Sequence, residues 1–350
     1  DTEEKLAAFL PTLRAASWVA VDTEADSLHA YPEKVCLIQI STVDGDRLVD
    51  PLADLNLNPL LDALGGHELI MHGADYDLRL LEKHHKFIPA TIFDTMLAAR
   101  LIGLRQFGLS FLVKEFLGIE LDKASQKANW AVRPLTERME RYARADTHHL
   151  KPLVDKLKTK LIEKGRYAWH QESCARLIQD CTNPEPADTD RVWRLKGSHA
   201  LSRHGLAVLR EVWKWRESEA VAANRPPFFI LSHDALVNIS AATAEHRPVE
   251  PLIPHRFPDH RRASLSRVIR HGATIPPEQF PDYVRRENHY PTEAEKKRFL
   301  DLQNHRDHHA AELDLDPTII ASRSVMVDLA RDWEQYSPQL MNWQRALLVK

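Results

Sequence analysis

The sequence predicts an α/β domain, a mixed sheet flanked by helices, followed by an all-helical C-terminal half. Three observations predict it. Apolar, β-branched runs with a DG turn occupy the first fifty residues, and strand and helix signals alternate from there to about residue 165. Beyond a polar segment with two prolines, Cys181–Asp190, only helical patterns remain.

The elements follow in order. The acidic N-terminus DTEEKLAAFLPTL has a helical pattern and does not read as a secretory signal. Ser17–Thr23 and Cys36–Thr42 read as strands, and Asp46–Asp50 completes a hairpin after Asp44–Gly45. Leu69–His72 is a short strand running into a helix at Ala74–His84. Ile92–Phe93 precedes Asp94, a helix N-cap for TMLAARLIG. Helices are expected near Ser110–Leu117 and over Pro134–Lys164. In the second half, Leu201–Ala223 is amphipathic and stops at Asn224–Pro227. Another helical block opens at the capping box Thr292-x-x-Glu295.

At 350 residues the chain suits two or three domains. No stretch approaches the roughly 20 apolar residues of a membrane span, so no membrane partner is expected. Three scattered cysteines without CxxC spacing exclude a disulfide framework or a thiolate zinc site and fit a reducing cytoplasm. The net charge is −3, with the acid excess in residues 1–180. Acids gathered around bound divalent cations would cancel that deficit, so acidity does not exclude a phosphate-bearing substrate.

The chemistry begins at Asp22-Thr23-Glu24. Residues two apart on a strand point the same way, so both carboxylates can hold hard divalent cations and leave positions for water and phosphate. Asp77 lies one turn into the next helix, with Asp75 as the competing acid. Tyr142 and Asp146 lie four apart and share one helix face. Lys123, Gln126, Lys127, Trp130 and Arg133 could touch a nucleic-acid backbone or stack on a base, with Lys127 and Arg133 preferred. The basic stretch Arg256, Arg261, Arg262, Arg267 and Arg270 is either a solvated helix face or a phosphate-backbone contact.

Together, DTEADS, HGADYDLRLL and YARADT resemble the three motifs of the DEDDy 3′→5′ exonucleases, and LDKASQKANWAVRPLT is similar to the ribonuclease D segment before the third motif. Further on, RPPFFILS with its flanking helices resembles the helicase-and-RNase-D C-terminal (HRDC) domain, its Phe228–Leu231 expected to plug a small helical core. LDLDPTIIASRSVMVDL, followed by Trp343-Gln344-Arg345, resembles a second, divergent copy. The resemblance implies a ribonuclease H-like exonuclease domain over 1–180, a linker over 181–198, an HRDC domain over 199–282 and an HRDC-like helical domain over 283–350.

It further implies a 3′→5′ exoribonuclease acting at a free 3′-hydroxyl with two divalent ions, Mg²⁺ or Mn²⁺. Asp22, Glu24, Asp77 and Asp146 would be ligands, and Tyr142 would orient the attacking water. The implied substrates are transfer RNA or other stable RNA precursors, and the products 5′-mononucleotides. A DNA-directed exonuclease on the same scaffold and an inactive nucleic-acid-binding module are the alternatives. No GxxxxGK[ST] motif occurs, which excludes a helicase fragment, and no nucleotide cofactor is expected.

Overall fold

The structure is a computed structural model that describes residues 1–122, 124–182, 188, 190–284 and 289–349. Most of the expected linker core at 181–190, and Lys123, lie outside the described residues. The chain divides into two units: Asp1–Ala25 with Val35–Asn183 and His289–Lys350, and Asp26–Lys34 with Pro184–Asn288.

The first unit is built on five strands, β1 (Val19–Ala25), β2 (Val35–Thr42), β3 (Gly45–Val49), β4 (Glu68–Met71) and β5 (Thr91–Asp94), in the order β3-β2-β1-β4-β5. β1, β2 and β3 are antiparallel neighbours, whereas β4 and β5 run parallel to β1, giving the mixed sheet. Alternation along each strand produces two buried faces. Val19, Val21, Ile38, Leu69, Met71 and Ile92 pack on one side with α1 (Glu3–Ala15), α2 (Asn58–Gly65), α3 (Asp75–His85) and α8 (Tyr167–Thr182). Ala20, Ile70 and Phe93 face the other side, with α4 (Thr95–Leu101), α5 (Leu109–Leu117) and α7 (Leu150–Glu163). Near β2 that side is covered by α6 (Glu137–His148), through Leu37, Met139 and Ala143.

The single helix expected over Pro134–Lys164 is two, α6 and α7, separated at His149. Pro152 explains the break: it has no N–H to offer the carbonyl four residues earlier, and its ring crowds that turn.

In the second unit, α9 (Arg203–Ala223) ends at Asn224 in the left-handed region (φ 45°) and Pro226, followed by α10 (Pro227–Ile230), α11 (His233–Ala244) and α12 (Asp259–Ala273). Its core is formed by Trp193, Leu206, Leu209, Val212, Ile239 and Leu265. The expected plug is only half right. Ile230 and Leu231 are buried, but Phe228 and Phe229 are about half exposed (50% and 52%). A one-turn helix can turn only one face inward, and here that face carries the aliphatic residues.

The C-terminal segment repeats this plan. A long helix, α13 (Glu293–Glu312), is followed by a proline-led turn, α14 (Pro317–Ile320), and a serine-capped helix, α15 (Arg323–Arg331). Arg216 in α9 reaches the Leu231 carbonyl at 3.5 Å, and Arg306 in α13 reaches the Ala321 carbonyl at 3.0 Å, each fifteen residues on and just before the capping serine. The segment does not form a core of its own. Ile320, Met326, Leu329 and Trp343 join the cluster of Leu112, Leu153 and Leu157, and Arg166 ties the Leu101 and Leu313 carbonyls together at 2.7 and 2.5 Å. No helix among the described residues is long and apolar enough to cross a membrane.

Candidate active site

β4 pairs with β1 only at Val19 and Ala20, and β1 runs on beyond it. Past Met71 the chain leaves the sheet through Gly73 (φ +67°), a conformation that favours glycine, and enters α3. Asp94 organises this corner. Its carboxylate accepts from the Gly73 and Ala74 N–H groups (3.2 and 2.7 Å) and from Met96 and Leu97 (2.8 and 3.0 Å), so it is an N-cap that also pins the turn before α3.

Because β4 has ended, the Thr23 N–H is available at the edge of β1, and Asp77 Oδ1 accepts it at 3.2 Å. The Thr23 hydroxyl donates to the same oxygen. One oxygen of Asp77 is thus held by the sheet, and the residue lines the cleft. Asp75 lies outside that cleft and is paired on the surface with Arg79 at 3.0 Å.

Asp22 and Glu24 project from the sheet face covered by α6, and Asp146 on α6 meets them. One carboxylate oxygen from each of the three lies within 4.8 Å of the other two. With Asp77 and Tyr142 they line a cleft of about 400 Å³ that also presents His72, Tyr76, Ser110, Asp122 and Gln126. His72 was not expected there. Thr95 Oγ donates to the Met71 carbonyl (3.1 Å), so at His72 Nδ1 (2.8 Å) it must accept. The ring proton is therefore on Nδ1, and Nε2 is left as an acceptor. Burial holds His72 below its usual range, which keeps the ring neutral. His72 opens the motif HGADYDLRLL, but its tautomer is set by Thr95, 23 residues further on.

Electrostatics suit the cleft to a cation. Burial, with repulsion from Asp146 and Asp77, pushes Glu24 up to about 9. Burial raises Asp146 to about 7, against the opposing Tyr142 hydrogen bond, and Asp77 to about 6, against the two Thr23 bonds. Asp22 is raised well above the usual carboxylate range by burial and by the other three acids. These groups cannot all be ionised together without a compensating positive charge. Hard oxygen donors at this spacing suit divalent cations such as Mg²⁺ or Mn²⁺. Tyr142 is hydrogen-bonded to Asp146, and burial with the nearby acids drives its hydroxyl upward, so it remains a neutral phenol. Its ring lies 5.9 Å from that of Trp130, which is 1% exposed and packed beneath it, so Trp130 is core and does not stack on a base.

The two preferred substrate contacts do not reach this cleft. Arg133 is committed to the fold: Nε and Nη2 grip Asp50 (2.5 and 2.7 Å), Nη1 donates to the Trp130 carbonyl (2.7 Å) and Nη2 to that of Cys36 (2.6 Å). With Nη1 also donating to the Val132 carbonyl (2.9 Å), all five N–H donors of the fork are engaged and none is left for a phosphate. Arg133→Ala is expected to lower stability by about 2–3 kcal/mol by leaving Asp50 unpaired, read as a shift in thermal midpoint with KM for RNA unchanged. Lys127 is exposed and is not among the residues lining the cleft. In the basic stretch, Arg261 pairs with Glu219 (2.9 Å) and Arg262 bonds the Pro254 carbonyl (3.2 Å), while Arg267 and Arg270 are exposed.

Comparisons with known proteins give the family of the chain. Residues 1–162 match the 3′-5′ exonuclease domain family, and residues 205–246 match the HRDC domain. The chain is 30% identical to ribonuclease D of Granulibacter bethesdensis, over 98% of this chain and 88% of that protein. It is 34% identical to ribonuclease D of Zymomonas mobilis over 67% of this chain and 61% of that one. The crystal structure of Escherichia coli RNase D shares the fold, with a TM-score of 0.77 and 22% identity over 99% of this chain and 95% of that one.

Proposed function

Because the chain belongs to the ribonuclease D family and is a 3′→5′ exoribonuclease, we propose that it hydrolyses RNA from a free 3′-hydroxyl at the cleft of Asp22, Glu24, Asp77 and Asp146. The products are 5′-mononucleotides, and the substrates are transfer RNA or other stable RNA precursors. One observation carries the reading: three carboxylates converge within 4.8 Å, with Asp77 anchored beside them through Thr23. The ribonuclease D relatives support RNA as the polymer. The second helical repeat, α13–α15, is proposed to be a divergent domain of the same kind.

The four acids are proposed to hold two divalent ions. When bound, these supply Lewis acidity, lowering the pKa of the attacking water and offsetting charge on the phosphorane-like transition state. The protein's own groups do the rest. Thr23 fixes Asp77, so that ligand is oriented before substrate arrives. The Tyr142 hydroxyl donates to Asp146, and its remaining lone pair faces the cleft as an acceptor for one water proton. As a neutral phenol it aims the water and does not abstract a proton. Trp130 keeps the ring from swinging away.

The test is digestion of end-labelled single-stranded RNA and DNA with Mg²⁺, Mn²⁺ or EDTA. The expected result is a ladder shortening from the 3′ end of RNA, abolished by EDTA. Preferred digestion of DNA, or a ladder that persists in EDTA, would contradict the proposal. Tyr142→Phe is expected to cut the rate by about 100-fold even at saturating metal, as for a misplaced reactant. A full rate in that variant would remove the water-aiming role.

A further inference from the structure

Gln39 sits directly beside Asp22. The two are partners across the antiparallel β1–β2 ladder. Partners across such a ladder share a face, their Cβ atoms about 5 Å apart. On that face β2 presents the row Leu37, Gln39, Ser41 to α6. Leu37 packs with Met139 and Ala143, and Ser41 Oγ lies 2.7 Å from Thr147 Oγ1. Gln39 lies between these contacts, under the helix that carries Tyr142 and Asp146.

Gln39 is 0% exposed, yet neither Nε2 nor Oε1 has a hydrogen-bond partner within the protein. Packing alone would favour an aliphatic residue here, since an unpaired buried amide is costly. Its neighbours offer little: the Ser41 hydroxyl is engaged by Asp46 and Thr147, and Leu37 is apolar. The adjacent group that can use an N–H is the Asp22 carboxylate.

We propose that Gln39 is a positioning residue for the metal site, donating its side-chain N–H to one oxygen of Asp22 so that the other faces the cleft. This rests on the four-acid reading of the site. A carboxylate gripping a cation is sharper in direction when its free oxygen is held, and loss of such a supporting bond typically weakens metal binding about 10- to 100-fold.

Mn²⁺ titration followed by electron paramagnetic resonance tests this with Gln39→Met, close in length and without an amide. The dissociation constant is expected to rise about 10-fold or more. The melting temperature in EDTA is expected to stay level or rise, because in the metal-free fold the amide has no partner to lose. KM for RNA at saturating Mn²⁺ is expected to be unchanged. Superimposable Mn²⁺ isotherms would overturn the proposal. So would a loss of affinity accompanied by a lower melting temperature in EDTA, which marks a purely structural role. If the Met variant fails to fold, Gln39→Asn, an amide one methylene short of Asp22, carries the same expectation of weakened binding. Absence of Mn²⁺ binding by the unsubstituted protein would sink the four-acid reading itself, a result distinct from equal binding by both.

Discussion

Asp22→Asn is expected to lower the exonuclease rate by more than about 100-fold, the upper range for loss of a residue that merely supports a metal ligand. The same substitution is expected to raise the melting temperature of the metal-free protein. Both effects have one cause. Asp22 is buried among Asp77, Asp146 and Glu24, each of which opposes its ionisation. A neutral amide of the same shape relieves that repulsion but is a poor ligand for a hard cation. The folded chain thus carries an electrostatic cost that only bound metal offsets, the usual trade between stability and function at an active site. Rate and melting curve must be read on the same preparation. A variant that is both slower and less stable would point to simple misfolding.

The second large effect is on pH and metal together. The carboxyls of Asp77, Asp146 and Glu24 titrate near 6, 7 and 9 in the fold, against roughly 4 in an unfolded chain. The folded state therefore holds more protons than the unfolded state above pH 4. The stability these groups contribute is present in full below that point and is lost as pH rises through the three folded values. In EDTA the melting temperature is expected to fall between pH 5 and pH 9. Mg²⁺ or Mn²⁺ reverses this, because ions binding only the folded chain stabilise it by about 2.7 kcal/mol at a hundred times Kd. The stabilisation by metal grows over the same window, as protons cease to compete. Glu24→Gln is expected to flatten the part from pH 7 to 9. A metal-free melting temperature that rises through this range in the parent protein would contradict the account.

Local periodicity made much of the site legible. Alternation along β1 placed Asp22 and Glu24 on one face, and four-residue spacing on α6 paired Tyr142 with Asp146. Both relations are set by neighbours in the chain. The rest depends on where distant elements stop. Asp77 is chosen over Asp75 because β4 ends early and frees the Thr23 N–H, 54 residues away. Arg133 looked like a phosphate contact because its partner Asp50, 83 residues earlier, cannot be foreseen from the basic residues around it. The packing of the C-terminal helical segment is hidden in the sequence for the same reason. Its repeat pattern is local, whereas the apolar surface it covers on α5 and α7 is not.

The central claim is that these four acids form one divalent-metal site, and anomalous scattering from Mn²⁺-soaked crystals tests it most directly. The account predicts two peaks about 4 Å apart, bounded by Asp22, Glu24, Asp77 and Asp146 and lost in Asp22→Asn. An empty cleft with manganese bound elsewhere, or peaks that persist unchanged without the Asp22 carboxylate, would contradict it.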